Sequence, residues 1–91
     1  MEAYQVIAQG RVQGVGFRFY VMQIAEKIGV KGTVRNLTNG NVQIIAQCNQ
    51  SSLEKLIKAI QVPQHRMMKV DKLTINEIEI PKKYTKFSIV Y

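Results

Sequence analysis

The chain is 91 residues long, 46% hydrophobic and 21% charged, a one-domain length whose composition excludes a disordered chain. One cysteine, Cys48, and one histidine, His65, exclude a disulfide framework and any Cys-rich or multi-His metal site. Thirteen Lys and Arg against six Asp and Glu give a net charge of +7; no five basic residues run together, so the excess favours anionic partners without forming a polybasic tail.

The first element is a strand. Tyr4, Val6, Ala8 and Val12 share one parity, which places them on the core side. A glycine-bearing segment follows, Gly10-Arg11-Val12-Gln13-Gly14-Val15-Gly16-Phe17-Arg18. From about Phe19 the pattern is helical, with Val21, Ile24, Ala25 and Ile28 at i, i+3, i+4, i+7 and Gly29 as the stop. Gly32 to Leu37 reads as a second strand, and Asn39-Gly40 as a type I′ hairpin turn. Asn41 to Cys48 reads as a third, with Val42, Ile44, Ala46 and Cys48 on one face.

A capping box, Ser51 to Glu54, opens a second helix whose apolar stripe is Leu53, Leu56, Ile57 and Ile60. That helix ends before Pro63, and Val62 to Met68 is an irregular connection. Val70 to Ile80 is extended. Its apolar residues change parity between Ile75 and Ile78, so a bulge near Asn76 is expected. Pro81-Lys82-Lys83 is a turn, and Phe87, Ile89 and Tyr91 form a closing strand. The order βαββαβ plus a last strand indicates an α+β, ferredoxin-like sandwich. It comprises an antiparallel sheet with two helices on one face, in a single domain over residues 1–91.

The turn from Gln13 to Arg18 is the segment that carries chemistry. Gly14 and Gly16 open backbone conformations closed to other residues, and successive N–H groups there can form an anion nest. A helix N-terminus faces the same point, and Arg18 can grip a phosphate through two bonds. The segment lacks the Gly-Lys-Ser/Thr ending of a Walker loop and the third glycine of a dinucleotide fingerprint. These local features fit equally a plain strand-to-helix connection with a solvated Arg18.

The same nine residues, Gly10 to Arg18, closely resemble the signature of the acylphosphatase family. Gly32-Thr33-Val34-Arg35-Asn36 is similar to the family's second signature, Gly-x-Val-x-Asn. Phe87-Ser88-Ile89-Val90-Tyr91 looks like its last strand. The resemblance runs over essentially the whole chain. It implies a metal-independent, cofactor-free hydrolase of small-molecule acyl phosphates, releasing carboxylate and inorganic phosphate. It also implies that Gln13, Gly14, Val15, Gly16, Phe17 and Arg18 hold the phosphate, with Arg18 and Asn36 catalytic and Asn36 orienting the attacking water. Thr33 stands where many members have Trp, which implies altered packing near the acyl group.

Other residues have plainer readings. Cys48 is expected as a buried, unreactive small hydrophobe, and His65, Arg11 and Arg35 as solvated surface. Met67-Met68 is expected at the core edge. Of Phe17 and Phe19, one should enter the core and one should wall the anion site. The competing reading is a non-catalytic anion-binding or nucleic-acid-binding ferredoxin-like module. An RNA-recognition motif would carry aromatics on its central strands, and Val42 to Cys48 has none. No nucleic-acid partner is therefore expected. No apolar run nears the ~18 residues of a membrane span, and Met1-Glu2-Ala3-Tyr4 lacks the layout of a secretory signal. The expectation is a cytoplasmic, monomeric enzyme with no membrane partner.

Overall fold

The parity of Tyr4, Val6 and Ala8 does set the inner face of the first strand, and all three are buried in the computed structural model, which describes residues 2–91. The elements are β1 (Glu2–Arg11), α1 (Phe17–Ile28), β2 (Lys31–Asn36), β3 (Val42–Gln47), α2 (Gln50–Ile60), β4 (Lys69–Glu79) and β5 (Phe87–Ile89). They form one sheet in the order β4-β1-β3-β2-β5. The pairs β1–β3, β1–β4 and β2–β3 are antiparallel, while β5 adds to β2 in parallel. The fold is the α+β, ferredoxin-like sandwich that the element order indicates, with a mixed rather than wholly antiparallel sheet.

The core lies between the sheet and its two helices. Val34, Val42, Ile44 and Ala46 of the sheet share it with Val21 and Ala25 of α1 and Leu53, Leu56 and Ile60 of α2. Burying the Val, Leu and Ile side chains stabilises the fold by about 1.5–3 kcal/mol each, the dominant favourable contribution. Among the described residues no helix is long and apolar enough to cross a membrane.

Four local details differ from expectation, each for a short-range reason. The β2–β3 turn is not type I′, because no non-glycine residue has positive φ, whereas type I′ needs it at both central positions. Gly40 N–H donates to Leu37 O at 3.2 Å, and Leu37 N–H donates to Asn41 O at 2.8 Å. With Gly40 at φ 94, this is a three-residue loop carrying a glycine bulge. The α2 cap is Asn49, not Ser51: its Oδ1 accepts from Ser52 N–H at 2.8 Å. Asn ranks with Ser as a cap, so the earlier residue ends the extended chain.

The bulge lies at Asp71, not near Asn76. Gln9 pairs with Lys72 and Gly10 with Val70, which leaves Asp71 as the extra residue. The parity change has another cause. Leu73 and Ile75 stand opposite Ala8 and Val6 on the helix side, while Ile78 stands opposite Ala3 on the other face. Finally, α1 begins at Phe17 rather than Phe19, because Gly16 already turns the chain into the helix. The closing strand is shorter than expected, Phe87–Ile89, although Val90 N–H still donates to Val34 O at 2.9 Å.

Gly32 explains the first position of the Gly-x-Val-x-Asn motif. Its φ is 145, and a Cβ there would collide with the backbone carbonyl of Ile45 on the central strand. Gly32→Ala combines backbone strain with overpacking, a loss of roughly 2–4 kcal/mol. Urea denaturation should show that loss as a lower midpoint.

Candidate active site

One end of the sheet gathers the signature residues. Ala8 pairs with Val42 and Val42 with Asn36, so β1, β3 and β2 reach that end together. The parallel strand β5 runs to the same end, with Ile89 beside Val34. The segment from Val12 to Gly16 leaves β1 there and turns into α1. Gly14 and Gly16 have φ of 73 and 84, the left-handed region where a side chain is strained. Gly16 is the N-cap of α1, and no side chain caps it. The first-turn amides of α1 are thus left to the helix entrance, where the dipole is positive.

Arg18 lies in the first turn of that helix. It lines a cleft of about 130 Å³ together with Val12, Gly14, Gly16, Phe17, Phe19 and Ile89. Its guanidinium sits over the Tyr91 ring, 5.1 Å from the centroid, a cation–π contact. Among the described residues Arg18 makes no ion pair. Tyr91 is itself 95% exposed, so the contact is a weak one; it does not neutralise the group and leaves the planar N–H fork available to an oxyanion. Both flanking aromatics line the cleft, Phe17 from within the core at 1% exposure and Phe19 from the surface at 54%.

Asn36 ends β2 on the parity of Val34, which faces the helices. Its Oδ1 is buried and has no hydrogen-bond partner among the described residues. Such an atom is costly to leave unpaired, about 1–3 kcal/mol, and few buried polar atoms lack a partner. Thr33 has the opposite parity. It lines a separate cleft with Lys82, Lys83 and Lys86 and is not among the residues lining the cleft of Arg18. The packing change implied by Thr33 therefore falls on the open face of the sheet.

Gln13 belongs to the same loop but its side chain is turned elsewhere. Its Nε2 donates to both Leu37 O and Asn41 O at 2.7 Å. This fork ties the loop to the β2–β3 turn directly after Asn36. His65, read from sequence as solvated surface, is exposed yet bonded: its Nε2 lies 2.9 Å from Val15 O. The loop is therefore held from two sides by residues 24, 28 and 50 positions away. Nothing in local spacing points to either contact. Arg11 and Arg35 are exposed, and Arg11 Nη2 reaches Arg66 O at 3.3 Å. Met68 is buried and Met67 exposed.

Cys48 lies beyond the far end of β3 from Asn36, half-buried. Burial, with Glu2 nearby, pushes its thiol up to about 11, so it carries no thiolate near neutrality and is no nucleophile. Tyr4 donates its hydroxyl to Glu2 Oε2 at 2.8 Å; that bond, then burial, pushes the phenol up to about 12. Among the described residues no three His, Cys, Asp or Glu side chains cluster as metal ligands.

The acylphosphatase family model matches residues 4–89. The acylphosphatase of Ligilactobacillus salivarius is 43% identical over 91 residues, covering all of both chains. The crystal structure of acylphosphatase from Bacillus subtilis superposes with a TM-score of 0.88 at 35% identity, again over both whole chains. An acylphosphatase structure from Coxiella burnetii gives a TM-score of 0.84 at 30% identity, covering 98% of this chain and 93% of that one.

The two raised groups have a consequence for stability. Both are neutral when protonated, and both keep their proton beyond their ordinary values of 9.0 and 10.0. Above about pH 9 the folded chain binds more protons than the unfolded one, so stability falls as pH rises. The contribution is whole below that point and is lost as pH passes about 11 and about 12. Denaturation midpoints measured across this window should fall, and Cys48→Ala should flatten the earlier part of the decline.

Proposed function

The chain belongs to the acylphosphatase family, and from that premise we propose how its own residues hydrolyse an acyl phosphate. As an acylphosphatase it takes a small substrate in which a carboxylate is bonded to phosphorus. The observation that carries the reading is that an unneutralised Arg18 and a buried, unpartnered Asn36 Oδ1 occur at the same end of the sheet.

The loop from Gln13 to Arg18 receives the phosphoryl group. Its backbone N–H groups and the α1 entrance donate to the non-bridging oxygens, and the Arg18 guanidinium spans two of them. Gln13, Gly14, Val15, Gly16 and Phe17 act here through main chain, since the Gln13 side chain is committed to Leu37 O and Asn41 O. The amides, fixed before substrate arrives, hold these oxygens in substrate and transition state alike, and the Arg18 guanidinium meets the charge that spreads over them as the transferred group loosens.

Asn36 Oδ1 accepts a hydrogen bond from a water and holds its oxygen in line with the leaving group. An amide takes up no proton near neutrality, so its contribution is orientation. The water oxygen bonds to phosphorus and the phosphorus–acyl oxygen bond breaks. The carboxylate departs with the electron pair. With a carboxyl pKa near ~4, it needs no general acid. The water's proton passes to a non-bridging phosphate oxygen, so no protein base is required. A donor set of amides and one guanidinium handles this charge without a metal ion. A cleft of about 130 Å³ encloses the phosphoryl group and leaves the acyl chain in solvent, so selectivity among acyl groups is weak.

The test is phosphate release from acetyl phosphate with chelator present. Arg18→Ala should lower kcat/KM by about 10²–10³, and Arg18→Lys should rescue little, since a point charge lacks the two-bond fork. Asn36→Ala should cut kcat far more than it raises KM. It should also leave stability unchanged or higher, because it removes an unpaired buried oxygen. Equal cleavage of a phosphate monoester, or an Asn36→Ala defect confined to KM, would overturn the assignment.

A further inference from the structure

The connection between α2 and β4 reaches the phosphate loop through a hydrogen bond of the His65 imidazole. Met67 N–H donates to His65 Nδ1 at 3.2 Å, so Nδ1 is the bare nitrogen and Nε2 carries the hydrogen. Nε2–H then donates to Val15 O at 2.9 Å. The ring is itself held by its surroundings. Met68 N–H donates to His65 O at 3.0 Å, Met68 is buried in the core, and Arg11 grips the next carbonyl, Arg66 O, at 3.3 Å.

The Val15–Gly16 peptide is trans. In a trans peptide the C=O and the N–H point in opposite directions. Fixing Val15 O on the outside therefore fixes where the Gly16 N–H points. Gly16 lines the Arg18 cleft and Val15 does not, and the Gly16 N–H is opposite the carbonyl that His65 holds. Val15 packs against the edge of the core and Gly16 O accepts from Tyr20 N–H at 3.0 Å, while on the Val15 carbonyl itself it is the His65 ring that acts.

We propose that His65 is a positioning residue for this reaction: its ring anchors the Val15 carbonyl outside the loop and so aims the Gly16 N–H into the phosphate site. The inference rests on the phosphate-loop reading above. The Gly16 amide touches the phosphoryl group in both the bound substrate and the transition state. Loosening it removes binding common to both, which raises KM and leaves kcat nearly constant. One hydrogen bond at an exposed site corresponds to a weakening of about threefold to tenfold.

The experiment compares the wild type, His65→Ala and His65→Gln by two readouts. The first is the Kd of inorganic phosphate by calorimetric titration. The second is kcat and KM for acetyl phosphate. His65→Ala should weaken both Kd and KM by about threefold to tenfold with kcat within about twofold. His65→Gln, whose amide N–H2 can reach the same carbonyl, should restore most of the loss. A purely structural role would lower the thermal midpoint in both variants without moving phosphate affinity. An unchanged phosphate Kd in His65→Ala overturns the proposal, as does a His65→Gln no better than His65→Ala. Absence of turnover in the wild type would refute the hydrolase reading, while the phosphate titration still decides the role of His65.

Discussion

The two 2.7 Å bonds from Gln13 Nε2 to Leu37 O and Asn41 O join the two halves of the site. The loop that gathers an oxyanion and the strand end that carries Asn36 belong to different parts of the sequence. The ladder through β3 brings β1 and β2 to one end, but the loop lies beyond that ladder, where shifts of the size that orientation-sensitive chemistry cannot accept are prevented by this tie. A primary amide meets the need because one nitrogen carries two hydrogens and can bridge two carbonyls. A Cδ carboxylate at the same position would present acceptors to acceptors and push the loop away.

Around this tie, the protein keeps its electrostatics one-sided. Arg18 rests on the face of Tyr91 rather than on a carboxylate. An ion pair there would cancel the charge that an incoming phosphoryl group needs, whereas contact with a ring face leaves the guanidinium positive. Asn36 shows the complementary choice. A buried oxygen without a partner lowers stability, and sites that act on ligands tolerate such costs where a stability-optimised core would not.

Much of this was legible in the sequence, and what was legible had a period. The stripes of both helices, the parity of β1 and β3, and the glycine-bearing motif could each be read within a dozen residues. The family signatures singled out Arg18 and Asn36, and the strand pairing brings the segments that carry them to one end of the sheet. Decisions between near-equal local options were not legible. Asn49 and Ser51 are both good caps, and the choice followed from where the chain leaves β3. Asn39-Gly40 suits two kinds of hairpin turn, and the register of β2 against β3 selected the longer one. The parity change in β4 suggested a bulge at the wrong place, because a strand at the margin of a sheet can present apolar residues on both faces. Least legible were Gln13 and His65, whose roles depend on carbonyls far along the chain.

The bulge at Asp71 also bears on how this chain avoids its own kind. A sheet with free margins offers rows of amide and carbonyl groups to any passing strand. Here β5 closes one margin with only three residues, too short to template a partner. The other margin, β4, runs eleven residues and would be a hazard if it were flat and apolar. Instead the extra residue at Asp71 bends it, and Lys69, Lys72, Glu77 and Glu79 place charge along most of its length. An intermolecular ladder started there would have to desolvate those charges and straighten that kink, so self-association into fibrils is resisted at the surface where it would otherwise begin.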